Sequence, residues 1–149
     1  MFPEVFSATF SSSNEGDPTQ PGVKGEGAVL LAVDEPSIGQ MLVRVFAKVG
    51  LRVLWVSGLA EGLSRLRENQ RGIGLAFLDC HQTEAETREF CRNARAMSPG
   101  LPVLLAGGIE TKDAAGSLGE GGVTVYVGKP YLPTELAWQL RDVLRRSAA

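Results

Sequence analysis

Short apolar runs alternate with amphipathic segments along the chain from Ala28 onward. Two of the runs, "AVLLAV" at 28–33 and "IGLAFLD" at 73–79, are continuous and of strand length. Runs without polar alternation are typical of strands that are covered on both faces. Three further runs complete a set of five predicted strands: "LRVLWV" at 51–56, "PVLLAG" at 102–107 and "VTVYV" at 123–127.

Between these strands, apolar residues recur at helical spacing. Pro36 begins the first predicted helix, where its missing N–H costs nothing, and Gly50 ends it. Ser57 is predicted to cap the second helix, and Thr83 with Glu86 forms a capping box for the third. The apolar stripes of these three helices are Ile38, Leu42, Val45, Phe46 and Val49; Leu59, Leu63 and Leu66; and Phe90, Ala94 and Met97.

The last two helical segments differ in strength. "TKDAAGSLGEGG" at 111–122 is a poor fourth helix, because Gly116 and Gly119 each cost up to about 1 kcal/mol relative to Ala. Pro133 begins the fifth helix, whose core-facing residues are Leu136, Leu140, Val143 and Leu144. Trp138 lies off that stripe, so either exposure or partial burial at the helix edge is expected.

Five strands alternating with five helical segments predict an α/β fold with right-handed crossovers and a doubly wound parallel sheet. Such sheets carry their sites beyond the carboxyl ends of the strands, at the switch in strand order. Asp34 directly follows the first run, Asp79 ends the third, Gly107 lies at the end of the fourth, and Lys129 follows the fifth. The two acids and the lysine are therefore expected on one rim.

This set of residues suits phosphoryl chemistry. Two carboxylates without a His or Cys partner favour a hard divalent cation such as Mg²⁺. Lys129 can bind an anion that shares the metal, and an ionised Asp79 is a competent nucleophile that forms an aspartyl phosphate. The alternative is structural: Asp34 caps the first helix, Asp79 is a strand-end acid, and Lys129 makes an ordinary ion pair.

Composition narrows the class of protein. The chain has 149 residues, 44% hydrophobic and 21% charged, which is typical of one globular domain. Its net charge of −2 gives no reason to expect a nucleic-acid partner, and no apolar run approaches the length of a membrane span.

Residues 1–27 are predicted to be a flexible linker or the remnant of an upstream domain, because residues 11–27 are rich in Ser, Gly, Pro and acids. The folded domain is expected at 28–149, and Cys80 and Cys91 as reduced thiols.

Four segments resemble the receiver domain of two-component response regulators, in the same order and spacing. They are "VLLAVDEPSI" at 29–38, "AFLDC" at 76–80, "PVLLAGG" at 102–108 and "YVGKP" at 126–130. The resemblance covers residues 28 to about 145. It implies a flavodoxin-like, chemotaxis-regulator fold with five helices, strand order 2-1-3-4-5, and a bond between Lys129 and Pro130 that is usually cis in the family.

The resemblance also implies roles for five residues of the rim. Asp79 matches the phosphoacceptor, and Asp34 matches the acid that binds Mg²⁺ directly. His81 lies two positions beyond Asp79, where the backbone carbonyl is a metal ligand and the side chain gates water. Lys129 matches the lysine that contacts the phosphoryl oxygens, and Tyr126 matches the aromatic switch residue.

Three positions depart from the family pattern. Val33 replaces the first acid of the usual pair, so weaker Mg²⁺ binding is expected. Gly107 replaces a Thr or Ser whose hydroxyl binds a phosphoryl oxygen, which removes a bond that is worth about 1.5–3 kcal/mol. Thr83 replaces the usual proline. Weaker coupling between Asp79 and Tyr126 is therefore expected.

Two functions fit these residues. The first is a phosphoacceptor receiver that takes a phosphoryl group from a phosphohistidine of a histidine kinase or phosphotransfer domain. The second is a degenerate pseudo-receiver that binds proteins without being phosphorylated. A phosphatase of the haloacid-dehalogenase type would need an acid where His81 stands. Any enzymatic activity of the domain would be limited to its own phosphorylation and dephosphorylation.

The surroundings of the domain are also predicted. "FPEV" at 2–5 resembles the last strand of a kinase ATP-binding domain, so we expect the C-terminal receiver of a hybrid histidine kinase, or else a stand-alone receiver. A cytoplasmic location without membrane contact is expected. Receivers of this family often pair through the face formed by the fourth helix, fifth strand and fifth helix, and that face is the expected site of any homodimer.

Overall fold

The computed structural model describes residues 27–107 and 124–148. The strands are β1 (Ala28–Val33), β2 (Val53–Val56), β3 (Ile73–Asp79), β4 (Val103–Gly107) and β5 (Val125–Gly128). The helices are α1 (Pro36–Lys48), α2 (Leu59–Glu68), α3 (Glu84–Met97) and α4 (Pro133–Ala148). The bounds of β1 and β3 are those predicted, whereas β2 begins two residues later than "LRVLWV", and β5 spans Val125–Gly128 where 123–127 was predicted.

The five strands form one parallel sheet in the order β2-β1-β3-β4-β5. This order confirms the predicted flavodoxin-like topology. Four helices lie within the described residues; the fourth helix predicted from the sequence, at 111–122, falls outside them, as does the predicted linker at 1–27 apart from its last residue. The last helix, the fifth of the prediction, is thus α4 here.

Alternate residues of the sheet face two hydrophobic layers. Val29, Leu31 and Val33 of β1 pack on one side with residues of α1 and α4. Leu30 and Ala32 pack on the other side with residues of α2 and α3. Every residue of β1 is buried, because this strand is covered on both faces and hydrogen-bonded to a neighbour at each edge. The absence of polar alternation in "AVLLAV" has this physical cause.

The helix starts are fixed by local hydrogen bonds. The predicted capping box of α3 is confirmed: the Glu86 N–H donates to Thr83 Oγ1 at 3.1 Å, and the Thr83 N–H donates to Glu86 Oε1 at 2.8 Å. The prediction that Ser57 caps α2 was wrong. The N-cap is Gly58, and Ser57 instead donates from its N–H and hydroxyl to the Glu61 carboxylate at 3.0 and 3.2 Å.

The indole of Trp55 packs against α1 where that helix has no side chain. A Cβ built on Gly39 would lie 2.1 Å from Cζ2 of Trp55, so only glycine fits under the ring. The indole N–H donates to the Val33 carbonyl at 2.9 Å, which anchors the ring at the end of β1. β1, β2 and α1 are thereby joined directly beneath the rim that carries Asp34.

Candidate functional site

The strand ends bring the predicted site residues to one edge of the sheet. Asp34 follows β1, Asp79 is the last residue of β3, and Gly107 is the last residue of β4. The parallel register pairs Val33 with Asp79 and Gly107 with Gly128, the residue before Lys129. Because these pairs are neighbours across adjacent strands, the four positions lie on the carboxyl rim, where a doubly wound sheet holds its ligands.

Asp79 and Lys129 form an ion pair at the centre of this rim. The Lys129 Nζ lies 2.6 Å from Asp79 Oδ1, and the Asp79 side chain is only 8% exposed while that of Lys129 is 46% exposed. A buried carboxylate requires a partner, and the ammonium meets that need while remaining open to solvent. The Lys129–Pro130 peptide bond is cis, as the resemblance implied.

Tyr131 is a member of the site that the sequence reasoning missed. Its hydroxyl donates to Asp79 Oδ2 at 2.7 Å, so each oxygen of the Asp79 carboxylate has its own donor. The Tyr131 ring meets Phe77 edge to face, with centroids 6.0 Å apart and planes at 83°. Burial, the hydrogen bond to Asp79 and the charge of Asp79 all raise the pKa of Tyr131, so the hydroxyl stays protonated and donates. Its position two residues after Lys129 was the available signal.

Asp34 contacts His81 rather than capping α1. Asp34 Oδ2 accepts from the His81 backbone N–H and lies 2.8 Å from the ring Nδ1. Burial acts to raise the pKa of Asp34, but the two His81 hydrogen bonds and the His81 charge outweigh it and hold that pKa below its ordinary 3.8. The N-cap of α1 is Glu35, whose carboxylate accepts from the Ser37 N–H at 3.4 Å. The structural alternative for Asp34 is therefore wrong.

Cys80 directly follows Asp79, and its side chain is partly buried. Burial first, and then the charges of Asp34, Asp79 and Glu86, raise the pKa of its thiol to about 12. The thiol donates to Gln82 Oε1 at 3.0 Å. Burial and these negative charges disfavour the thiolate, so Cys80 stays protonated.

A hydrogen bond joins the Tyr126 side chain to the backbone carbonyl of Gly107. The Gly107 carbonyl accepts from the Tyr126 hydroxyl and, at 2.9 Å, from the Lys129 N–H. The Tyr126 ring is partly buried against the α2–α3 layer. Gly107 has no side chain to offer the rim, and Val33 is an apolar core residue, 1% exposed. Both departures from the family pattern are thus fully accommodated by the fold.

The donors present on the rim suit a hard divalent cation. Mg²⁺ prefers oxygen ligands and is commonly held by one or two carboxylates with water in the remaining positions. Asp34 and Asp79 offer carboxylate oxygens, and His81 offers a backbone carbonyl in the adjoining loop. In the ranges 27–107 and 124–148, no three His, Cys, Asp or Glu side chains gather as a ready-made metal cluster. Besides the two carboxylates, a cation here would therefore rely on main-chain and water ligands.

Among the residues that the structure describes, two large apolar side chains are exposed. Trp138 on α4 is 54% exposed, and the guanidinium carbon of Arg141 lies 5.8 Å from its ring centroid. Leu132 lies just before α4. The structure therefore decides the open question of Trp138 in favour of exposure.

No helix in the described part of the chain is both long and apolar enough to cross a membrane.

Comparison with known sequences gives response regulators as relatives. The chain is 32% identical over 120 residues to the DNA-binding response regulator MtrA of Mycolicibacterium smegmatis, covering 80% of this chain and 51% of MtrA. It is also 32% identical over 120 residues to the transcriptional regulatory protein CreB of Escherichia coli K12, covering 79% of this chain and 51% of CreB. The chain thus spans about half the length of these curated relatives. No family model matches it.

Solved structures share the fold. A response regulator receiver domain from Clostridium thermocellum superposes with a TM-score of 0.71 at 23% identity, covering 80% of this chain and 95% of that domain. The chemotaxis protein CheY4 of Vibrio cholerae superposes with a TM-score of 0.63 at 22% identity. At these identities the likeness concerns the fold alone. With its sequence relatives and this fold taken together, the chain belongs to the receiver-domain family of two-component response regulators.

Proposed function

We propose that this receiver accepts a phosphoryl group on Asp79 from a phosphohistidine. Response regulators interact with histidine kinases or phosphotransfer proteins, and receiver domains generally bind Mg²⁺ for phosphorylation. The observation that carries the proposal is the Asp79–Lys129 pair: a nearly buried carboxylate at a strand end, held 2.6 Å from a solvent-open ammonium. A carboxylate so placed is a nucleophile with its electrostatic partner already in position.

In the proposed step, an oxygen of Asp79 attacks the phosphorus of phosphohistidine. A P–O bond forms, the P–N bond breaks, and its electron pair returns to the imidazole of the donor. Lys129 is open enough to follow the phosphoryl oxygens as they arrive, where its charge offsets theirs. Mg²⁺ would be held by Asp34, Asp79 and the His81 carbonyl, and it would neutralise charge on the transferred group. The His81 side chain, which is 100% exposed, would leave Asp34 without uncovering buried surface.

The test uses the full chain, acetyl phosphate and Mg²⁺, with intact-mass measurement. Wild type is expected to gain one phosphoryl mass, and Asp79→Asn none. Asp142→Asn is the matched control: it removes an exposed acid that pairs with Arg146 on α4, and it should be phosphorylated like wild type. The proposal is overturned if wild type gains no phosphoryl mass at any Mg²⁺ concentration and kinase or phosphotransfer donors also fail.

Val33 and Gly107 favour a second candidate, a pseudo-receiver that binds a partner without being phosphorylated. Val33, which stands in place of an acid, packs within the hydrophobic core, and the Gly107 carbonyl accepts a hydrogen bond from the Tyr126 hydroxyl. On this reading Mg²⁺ binding is weak, and Asp79→Asn binds its partner and signals like wild type. Loss of signalling in Asp79→Asn at unchanged stability would exclude this candidate.

Three further predictions concern the context of the domain. Its origin in a hybrid histidine kinase depends on residues 2–5, which lie outside the described residues. A cytoplasmic location follows from the proposed exchange with a histidine kinase. Pairing through the face formed by the predicted fourth helix, β5 and α4 remains a prediction; on its described part, Trp138 provides an exposed aromatic side chain.

A further inference from the structure

The Tyr131 hydroxyl has a contact that the proposed reaction must change. It donates to Asp79 Oδ2 at 2.7 Å while Lys129 Nζ holds Oδ1 at 2.6 Å. Lys129 is a flexible, half-exposed side chain that can follow the phosphoryl group. The Tyr131 ring, by contrast, is packed edge to face on Phe77, and its hydroxyl is partly buried. Tyr131 therefore remains beside Asp79 whether or not Asp79 carries a phosphoryl group.

The strength of this hydrogen bond depends on the state of Asp79. A bond to an ionised acceptor is roughly twice as strong as one between neutral groups. When either oxygen of Asp79 becomes esterified, the carboxylate charge is lost: the free oxygen becomes a neutral carbonyl and the other a bridging oxygen. Tyr131 thus stabilises the free carboxylate more than the aspartyl phosphate, whichever oxygen attacks.

We propose that Tyr131 is a positioning residue that shortens the lifetime of the aspartyl phosphate on Asp79. The inference rests on the proposed phosphoacceptor function. In hydrolysis, a water oxygen attacks phosphorus, the P–O bond to Asp79 breaks, and its electron pair stays on Asp79. The water gives up a proton to solvent, and inorganic phosphate leaves. Because the transition state is loose, much of the carboxylate charge has already returned there, and Tyr131 stabilises it.

Tyr131 has much less effect on the forward step, which is the transfer of the phosphoryl group to Asp79. In a loose transition state the attacking carboxylate still carries most of its charge, so Tyr131 binds the ground state and the transition state with similar strength. Removing the hydroxyl should therefore slow the loss of the phosphoryl group and leave its acquisition nearly unchanged. A residue that only supports the fold would not separate the two rates in this way.

The experiment compares wild type, Tyr131→Phe and Thr87→Val as full chains. Tyr131→Phe keeps the ring on Phe77 and removes only the hydroxyl. Thr87→Val is the matched control, since it removes a buried hydroxyl that donates to the carbonyl of Thr83, the N-cap residue of α3. Each protein is phosphorylated with acetyl phosphate and Mg²⁺, then desalted, and the phosphoryl mass is followed with time.

Tyr131→Phe is expected to lose its phosphoryl group about five-fold more slowly than wild type, which corresponds to about 1 kcal/mol at 1.4 kcal/mol per factor of ten. Its rate of acquisition should stay within about two-fold of wild type, and Thr87→Val should match wild type in both rates. Equal decay of wild type and Tyr131→Phe overturns the inference and leaves the proposed function standing. If no protein takes up a phosphoryl group, the proposed function fails and this inference falls with it.

Discussion

Two glycines at equivalent positions of two helices should respond in opposite ways to the same substitution. Gly39 is the fourth residue of α1 and Gly62 the fourth residue of α2, and both face the core. A Cβ on Gly39 would lie 2.1 and 2.3 Å from Cζ2 and Cε2 of Trp55, closer than real Cβ contacts come. A Cβ on Gly62 would meet its nearest neighbours at 3.6 Å, which is ordinary van der Waals contact.

The magnitudes follow from these distances. Alanine in place of glycine within a helix gains about 1 kcal/mol in either case. In Gly39→Ala the steric cost outweighs this gain in helix propensity, because overpacking a core site costs about 1–3 kcal/mol. Moving the indole also breaks its hydrogen bond to the Val33 carbonyl, worth about 0.5–1.5 kcal/mol. We expect Gly39→Ala to lower the free energy of unfolding by about 2 kcal/mol, and Gly62→Ala to raise it by about 1 kcal/mol.

Urea unfolding of the full chain, followed by far-ultraviolet circular dichroism, measures both effects. Gly58→Ala is a control for steric effects, because nothing lies within 4 Å of a Cβ at that N-cap; the poorer N-cap preference of alanine should lower the free energy of unfolding by about 0.5–1 kcal/mol, less than in Gly39→Ala. The steric reasoning would be refuted if Gly39→Ala were as stable as wild type, or if Gly39→Ala and Gly62→Ala shifted the midpoint in the same direction. A stable Gly39→Ala would mean that the indole has room to move.

Two titrating groups on the rim give further predictions. The pKa of Asp34 is lowered in the folded state, so its stabilising contribution is present above its ordinary value of 3.8 and is lost as the pH falls through the lower folded value. The stability of wild type relative to Asp34→Asn should therefore grow as the pH rises from about 3 to 5 in urea unfolding, and a difference independent of pH would contradict this. With its pKa raised to about 12, Cys80 should react with iodoacetamide at pH 8 far more slowly than in the unfolded chain, and faster as the pH rises. Peptide mass spectrometry separates Cys80 from Cys91, and folded and unfolded rates of similar size at pH 8 would count against the raised pKa.

Several structural features of this protein could be predicted from the sequence, because they depend on interactions within one helical turn or on the burial of a whole strand. β1 and β3 were predicted at their observed bounds, since burial on both faces leaves an uninterrupted apolar run. The Thr83–Glu86 capping box was predictable because both partners lie within one turn. The rim positions of Asp34, Asp79 and Lys129 followed from the rule that parallel strands end at the same edge.

The remaining features depend on contacts between residues that are far apart in the sequence. Tyr131 meets Asp79 across 52 residues, and His81 meets Asp34 across 47. No periodicity or spacing encodes these pairs, because each depends on how a loop after one strand packs beside another. The same is true of Trp55 over Gly39, where the pattern predicted a strand residue and a helix residue but not that the ring occupies the place of a side chain. Local patterns of residues were thus enough to predict the five strands, the four helices that the structure describes and the charged rim, whereas packing between distant segments sets which donor each oxygen of Asp79 receives.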